Sequence, residues 1–259
     1  MTQNDVLLLE IGPDYCCYAT CDGYAKTISS ISYATFDAFA LSQTIDALLS
    51  EWKNADAAFQ KIVVCSAFPK SLLFPAKWYH NGDAAEVLKN IYDVSGHQIL
   101  KDEIKAGKML NCYAVPQILH QNITGQYANV AFMHAYTAAL KVDNGIAGEN
   151  QIAVHFTPAS FRVKVRKEQK LWLVQTFTYT TPLDVVYVLL KICTEFDMQQ
   201  EATQVALSGL IDAGSHLYKE LYNYFLHIHF SEPALYSLQQ EQYPQHFFQS
   251  IYNLAACVL

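Results

Sequence analysis

The sequence predicts an α/β protein made of two related halves, each a mixed five-stranded sheet with helices on its faces. Three observations predict it. An apolar strand that breaks at a proline turn and resumes as a second strand occurs twice, over residues 8–16 and 153–161, with Pro13 and Pro158 lying 145 residues apart (158 − 13). A third strand then closes on similar words, Ser32-Tyr33-Ala34-Thr35 and Thr178-Tyr179-Thr180-Thr181, ahead of a helical pattern. A fourth strand follows in each half, over residues 62–67 and 205–209, which sets Ser66 against Ser208. Matches in one order at nearly one offset point to an internal duplication.

In chain order, the first helix is expected from Phe39, Leu41, Ile45, Leu48, Leu49 and Trp52, which recur at helical spacing. The segment around 68–124 has no counterpart in the second half. Pro69 and Pro75 punctuate it, and residues 99–105 and 109–115 read as strands of an inserted subdomain or of a swollen connection. The polar stretch 142–150, with Gly145 and Gly148, marks a linker. The halves are therefore 1–147, carrying the insertion, and 148–259. In the second half, Thr181-Pro182-Leu183-Asp184 starts a helix: Thr caps, Pro suits the first turn, and Asp bonds back. Val185, Val186, Leu189, Leu190 and Cys193 supply its apolar face. The tail, from Phe247 and Phe248 to Ile251, Tyr252 and Leu254, is amphipathic and is expected to pack on the protein's own sheet, the alternative being a dock on another chain.

Composition narrows the function classes. Net charge is −7 and the pI about 5.7, so no global positive field attracts nucleic acid. The one basic run, Arg162-Val163-Lys164-Val165-Arg166-Lys167, alternates with apolar residues as the solvent face of a strand does. Charged residues are only 16% of the chain against roughly 25% in an average soluble domain. That deficit implies large cores or a surface covered by a partner. The seven cysteines have no zinc-finger spacing and read as core thiols of a reducing compartment. With no basic leader and no membrane-length apolar run, a cytoplasmic location without a membrane span is expected, and the Asn122-Ile123-Thr124 sequon has no consequence.

The duplicated meander-plus-helix unit resembles the actin, Hsp70 and sugar-kinase superfamily, whose halves are RNase H-like. More closely, residues 177–190, including Thr181-Pro182-Leu183-Asp184 and Tyr187, and residues 207–218, including Ser208-Gly209 and Gly214-Ser215, resemble a family of Bacteroidetes proteins of unknown function with an actin-like ATPase fold. Type IV pilus assembly and cell-division actin homologues share the layout. The resemblance implies ATP with Mg²⁺ between two hairpin turns, with an acid in each hairpin on the metal side. On this sequence that places Glu10 and Gly12 in the first turn, Thr157 in the second, and Ser208 and Gly209 at the adenosine-binding turn.

The residues depart from that pattern. Pro13 removes a backbone N–H that would face phosphate. The second turn, His155-Phe156-Thr157-Pro158-Ala159, has neither carboxylate nor glycine. No catalytic residue is therefore assigned, and the reading is a degenerate nucleotide-binding scaffold that engages a protein partner or itself. The alternative is a genuine ATP-binding protein with slow or no hydrolysis.

Other constellations have ordinary accounts. His227 and His229, with Glu232 nearby, share one face of a strand in metal-ligand fashion, but read as two ordinary histidines of a half-exposed strand, since a three-ligand site needs a spatial convergence the sequence does not show. Neither Ser66 nor Ser208 stands in a nucleophile elbow. Tyr218, Tyr222 and Phe225 form a stripe at helical spacing, the usual pattern of a core face.

Overall fold

The computed structural model describes residues 5–22, 27–54, 59–78, 83–142, 148–232, 237–238 and 243–258. It divides into one unit of Met1–Val142, Leu235–Gln240 and Ile251–Leu259, and a second of Asp143–Ala234 and Glu241–Ser250. Most of the linker stretch, residues 143–147, lies outside the described residues.

In the first unit, β1 (Asp5–Ile11), β2 (Tyr15–Asp22) and β3 (Thr27–Thr35) form an antiparallel meander. Helix α1 (Leu41–Asn54) then crosses over, so β4 (Lys61–Ser66) lies parallel to β1. Both strands are buried on both faces, which is why they read as unbroken apolar runs. The insertion follows as β5 (Ser71–Pro75), α2 (Asp83–Ile91), β6 (His97–Ile104) and β7 (Met109–Pro116), a three-stranded antiparallel sheet ordered β5-β7-β6. Both strands expected there form. Helix α3 (Gln117–Gln126), strand β8 (Val130–His134) beside β4, and α4 (Ala135–Lys141) complete the unit.

The second unit runs β9 (Asn150–Phe156), β10 (Ser160–Lys167), β11 (Lys170–Thr178), α5 (Pro182–Glu195), β12 (Gln204–Gly209), α6 (His216–Tyr222) and β13 (His227–Phe230), in the order β11-β10-β9-β12-β13. The first sheet, β3-β2-β1-β4-β8, has the same order and directions, extended at β3 by the short β14 (Ser237–Leu238). Helix α7 (Gln249–Val258) ends the chain, with Ile251, Tyr252 and Leu254 buried as its pattern implies.

The registers correct two of the sequence matches. Glu10 sits opposite Cys65, and His155 opposite Ser208, so Ser208 corresponds to Cys65 and Gly209 to Ser66. A slip of one residue moves a side chain to the other face of the sheet. On the third strand Ala34 faces Cys16 and Phe177 faces Phe161. Equating Tyr33 with Tyr179 is therefore three positions out of register.

Each core lies where α1 or α5 covers its sheet. Leu7, Leu9, Ile11 and Val64 pack with Ile45, Leu49 and Trp52; Ile152, Val154, Phe161 and Val163 pack with Val185, Leu189 and Cys193. Phe39 falls outside this face, 98% exposed in a 3₁₀ turn before α1. The basic run departs further from expectation. Arg162 and Lys164 are 8% and 7% exposed, so the face of β10 that carries them is covered rather than open to water, as their long aliphatic stems permit.

Candidate functional site

The hairpins β1–β2 and β9–β10 occupy equivalent places in their units. In the first turn Gly12 N–H donates to Tyr15 O at 2.9 Å; in the second Thr157 N–H donates to Ser160 O at 2.8 Å. Glu10 and His155 thus stand at matching positions, one residue before the end of the first strand.

Glu10 is wholly buried, and its Oε1 accepts from Tyr15 Oη at 2.7 Å. The Tyr15 ring stacks on Tyr33 with centroids 5.8 Å apart. It also covers Gly12, where a Cβ would stand 2.4 Å from Tyr15 Cε1. The glycine of the first turn therefore makes room for the protein's own aromatic ring. Cys17 faces Glu10 across the ladder; burial, then the Glu10 charge, push its thiol well above the ordinary range. A thiol so placed is a packed apolar group rather than a nucleophile.

In the second hairpin the Thr157 hydroxyl donates to Ser160 O at 2.9 Å and lies 2.7 Å from Ser160 Oγ, so it serves its own turn. Ser208 Oγ donates to Val154 O at 3.2 Å. It then accepts from His155 Nδ1 at 3.0 Å, the tautomer in which Nδ1 carries the proton. Burial, then the Arg162 guanidinium opposite, hold the imidazole well below its usual range and keep it neutral. Gly209 has φ +78°, and a Cβ there would stand 2.1 Å from Phe156 O. Glycine is needed where the ends of β9 and β12 close on each other, with Leu210 N–H donating to Phe156 O at 3.0 Å.

The structure thus groups Glu10 and Gly12 in the first unit, around Tyr15, and Thr157, Ser208 and Gly209 in the second, around the β9 end. Tyr15 is the residue that reasoning from the sequence missed. Its position was the signal: two residues before Cys17 on one strand, it shares the face that Glu10 occupies.

The other nominated groups are simpler. His227 and His229 are exposed on β13, and no three potential metal-ligating side chains cluster among the described residues. Of the aromatic stripe, Phe225 is buried and Tyr222 is 60% exposed. No described helix is long and apolar enough to cross a membrane.

A family model covers residues 2–228, well over half of the chain. The chain belongs to the family described as "Protein of unknown function (DUF3822)". No curated protein sequence matches this family member. Among solved structures, it is similar to a Bacteroides thetaiotaomicron protein with an actin-like ATPase fold and unknown function, at 13% identity and TM-score 0.82, covering 98% of this chain and 96% of that one. It is also similar to the PilM-PilN type IV pilus biogenesis complex, at 9% identity and TM-score 0.59, covering 99% of each chain. The DUF3822 protein therefore has the actin-like ATPase fold, made of two sheets of one topology.

Proposed function

We propose that this DUF3822 protein has left behind the Mg²⁺-ATP chemistry of its fold and acts as a scaffold for protein–protein interaction. The observation that carries the reading is the hydrogen bond from Tyr15 to Glu10, with the same ring over Gly12. A carboxylate that orients hydrated Mg²⁺ has to present its oxygens to the metal's water shell. Glu10 gives one of them to a buried phenol instead.

The second hairpin supports the same view. Where an acid would stand there is a neutral imidazole beside a guanidinium, a poor setting for a hard divalent cation, which prefers oxygen ligands. Thr157 and Gly209 are accounted for by turn closure and strand approach, and Ser208 by its bonds to Val154 and His155. A fold can persist after its chemistry has gone. The like-folded pilus protein was solved in a two-protein complex, which fits a role in assembly.

Isothermal titration of the purified chain with ATP and ADP, with and without Mg²⁺, tests the reading. No saturable heat and no shift in melting temperature at millimolar nucleotide are expected. Micromolar, Mg²⁺-dependent binding that Glu10→Ala weakens would overturn it and establish a genuine ATP-binding protein.

A further inference from the structure

We infer that the inserted sheet carries a docking groove for an acidic peptide segment of a partner protein. The inference rests on the scaffold reading and names the chemistry of what the scaffold holds. The groove, about 910 Å³, lies between the β5 end and the β6–β7 turn. Its floor is apolar, with Ile104 and Leu110 buried and Pro75 and Met109 partly so. Among the described residues, its rim carries Lys77, Lys105 and Lys108 against one carboxylate, Glu103.

Charge is what selects the occupant. The chain as a whole carries −7, yet three ammonium groups and one carboxylate of the described residues line this groove. A local positive patch on an acidic protein favours an acidic ligand, and its pull is short-ranged. The apolar floor asks for a second feature, a bulky aliphatic or aromatic side chain between the acids. Beside the groove, Trp78 is 66% exposed, with the Lys77 ammonium 5.6 Å from its ring centroid. An exposed indole next to a cation offers an anchor typical of interface centres.

The walls are set before any ligand arrives. Pro75 pairs with Met109 across the sheet, and Ala76 N–H donates to Lys108 O at 2.8 Å. Lys108 adopts φ +49°, and its N–H donates to Lys105 O at 3.1 Å, which fixes the turn. A groove ordered in advance spares a ligand part of the ordering cost of binding.

The test is selection of phage-displayed random peptides on the whole immobilised protein, with the Lys105→Glu/Lys108→Glu variant as counter-selection. Peptides that combine Asp or Glu with a central Leu, Phe or Trp are expected to be enriched. By fluorescence anisotropy, a selected peptide should bind the double variant about tenfold or more weakly, and bind the wild type less tightly as salt rises. Both lysines are exposed, so the variant should melt with the wild type. Three results overturn the inference: no acidic enrichment, binding indifferent to the double variant, or displacement of the peptide by inorganic tripolyphosphate that binds equally well. The last would make the groove a general anion site. The nucleotide titration reads the scaffold proposal separately, so peptide capture with ATP binding, or neither, tells the two failures apart.

Discussion

Tyr15 Oη donates to Glu10 Oε1 at 2.7 Å, from a ring that covers Gly12 and stacks on Tyr33. A bond to a wholly buried carboxyl costs more to lose than one at the surface, because water cannot replace the missing donor. Tyr15→Phe keeps the ring and removes only the donor. It should destabilise the chain by about 1.5–3 kcal/mol. Tyr18→Phe removes an exposed bond to Glu51 and should cost less than about 1 kcal/mol. Urea midpoints of both variants decide the matter; equal, small shifts would mean that Glu10 does not depend on Tyr15.

The two ends of β9 and β12 make the sharpest demand on a single residue. Gly209→Ala would place a methyl 2.1 Å from Phe156 O at φ +78°, so neither the backbone nor the neighbour can give cheaply. Left-handed strain of about 1–2 kcal/mol and overpacking of about 1–3 kcal/mol add in the same direction. Gly125 in α3 is the opposite case, where an added Cβ would meet nothing within 4 Å. Gly125→Ala should be neutral to stabilising, by up to about 1 kcal/mol. Denaturant unfolding of the pair checks the contrast, and a tolerated Gly209→Ala would contradict the close approach.

Much of the fold was legible because it follows from local chemistry. The proline turns, the apolar fourth strands and the start of α5 at Pro182 each carry their own signal. Register was not legible. Tyr33 and Tyr179 look alike, but pairing along a ladder is set by the hairpin before it, where Tyr15 meets Thr35 and Ser160 meets Thr178. The burial of Arg162 and Lys164 was hidden for a related reason. Alternation shows that a strand has two faces, but not whether the polar one is open to water or covered. At the candidate site, the histidine at position 155 could be read directly, whereas the Tyr15–Glu10 contact needs the hairpin closed.

The helix start at α5 makes a prediction in pH. Asp184 accepts from Thr181 N–H at 2.7 Å and Thr180 N–H at 2.9 Å, and these bonds, Thr181 first, lower its carboxyl from the ordinary value of 3.8. A carboxyl lowered in the folded state contributes stability that is present above the unfolded value and lost as pH falls through the folded one. Asp184→Ala should therefore be less stable than the wild type near neutrality, with the gap closing below about pH 4. Thermal melts of both proteins from pH 7 to pH 3 would show it; a gap independent of pH would assign the loss to something other than the carboxylate.

His155 predicts the converse behaviour for a base. Burial and then the facing Arg162 lower its imidazole from 6.5, so the folded chain resists the proton that the unfolded chain accepts. Stability from this group is complete above the unfolded value of 6.5 and declines as pH drops below it, until the lowered folded value is reached. His155→Gln keeps an N–H donor for Ser208 without a titrating ring. The advantage of the wild type over this variant should be constant above pH 6.5 and shrink below it, by at most about 1.4 kcal/mol per pH unit. Urea unfolding at half-unit steps between pH 5 and 8 measures the difference and cancels the other histidines. A difference that stays flat across that range would mean the imidazole is protonated at no cost inside the fold, and the neutral His155–Ser208 pair would have to be abandoned.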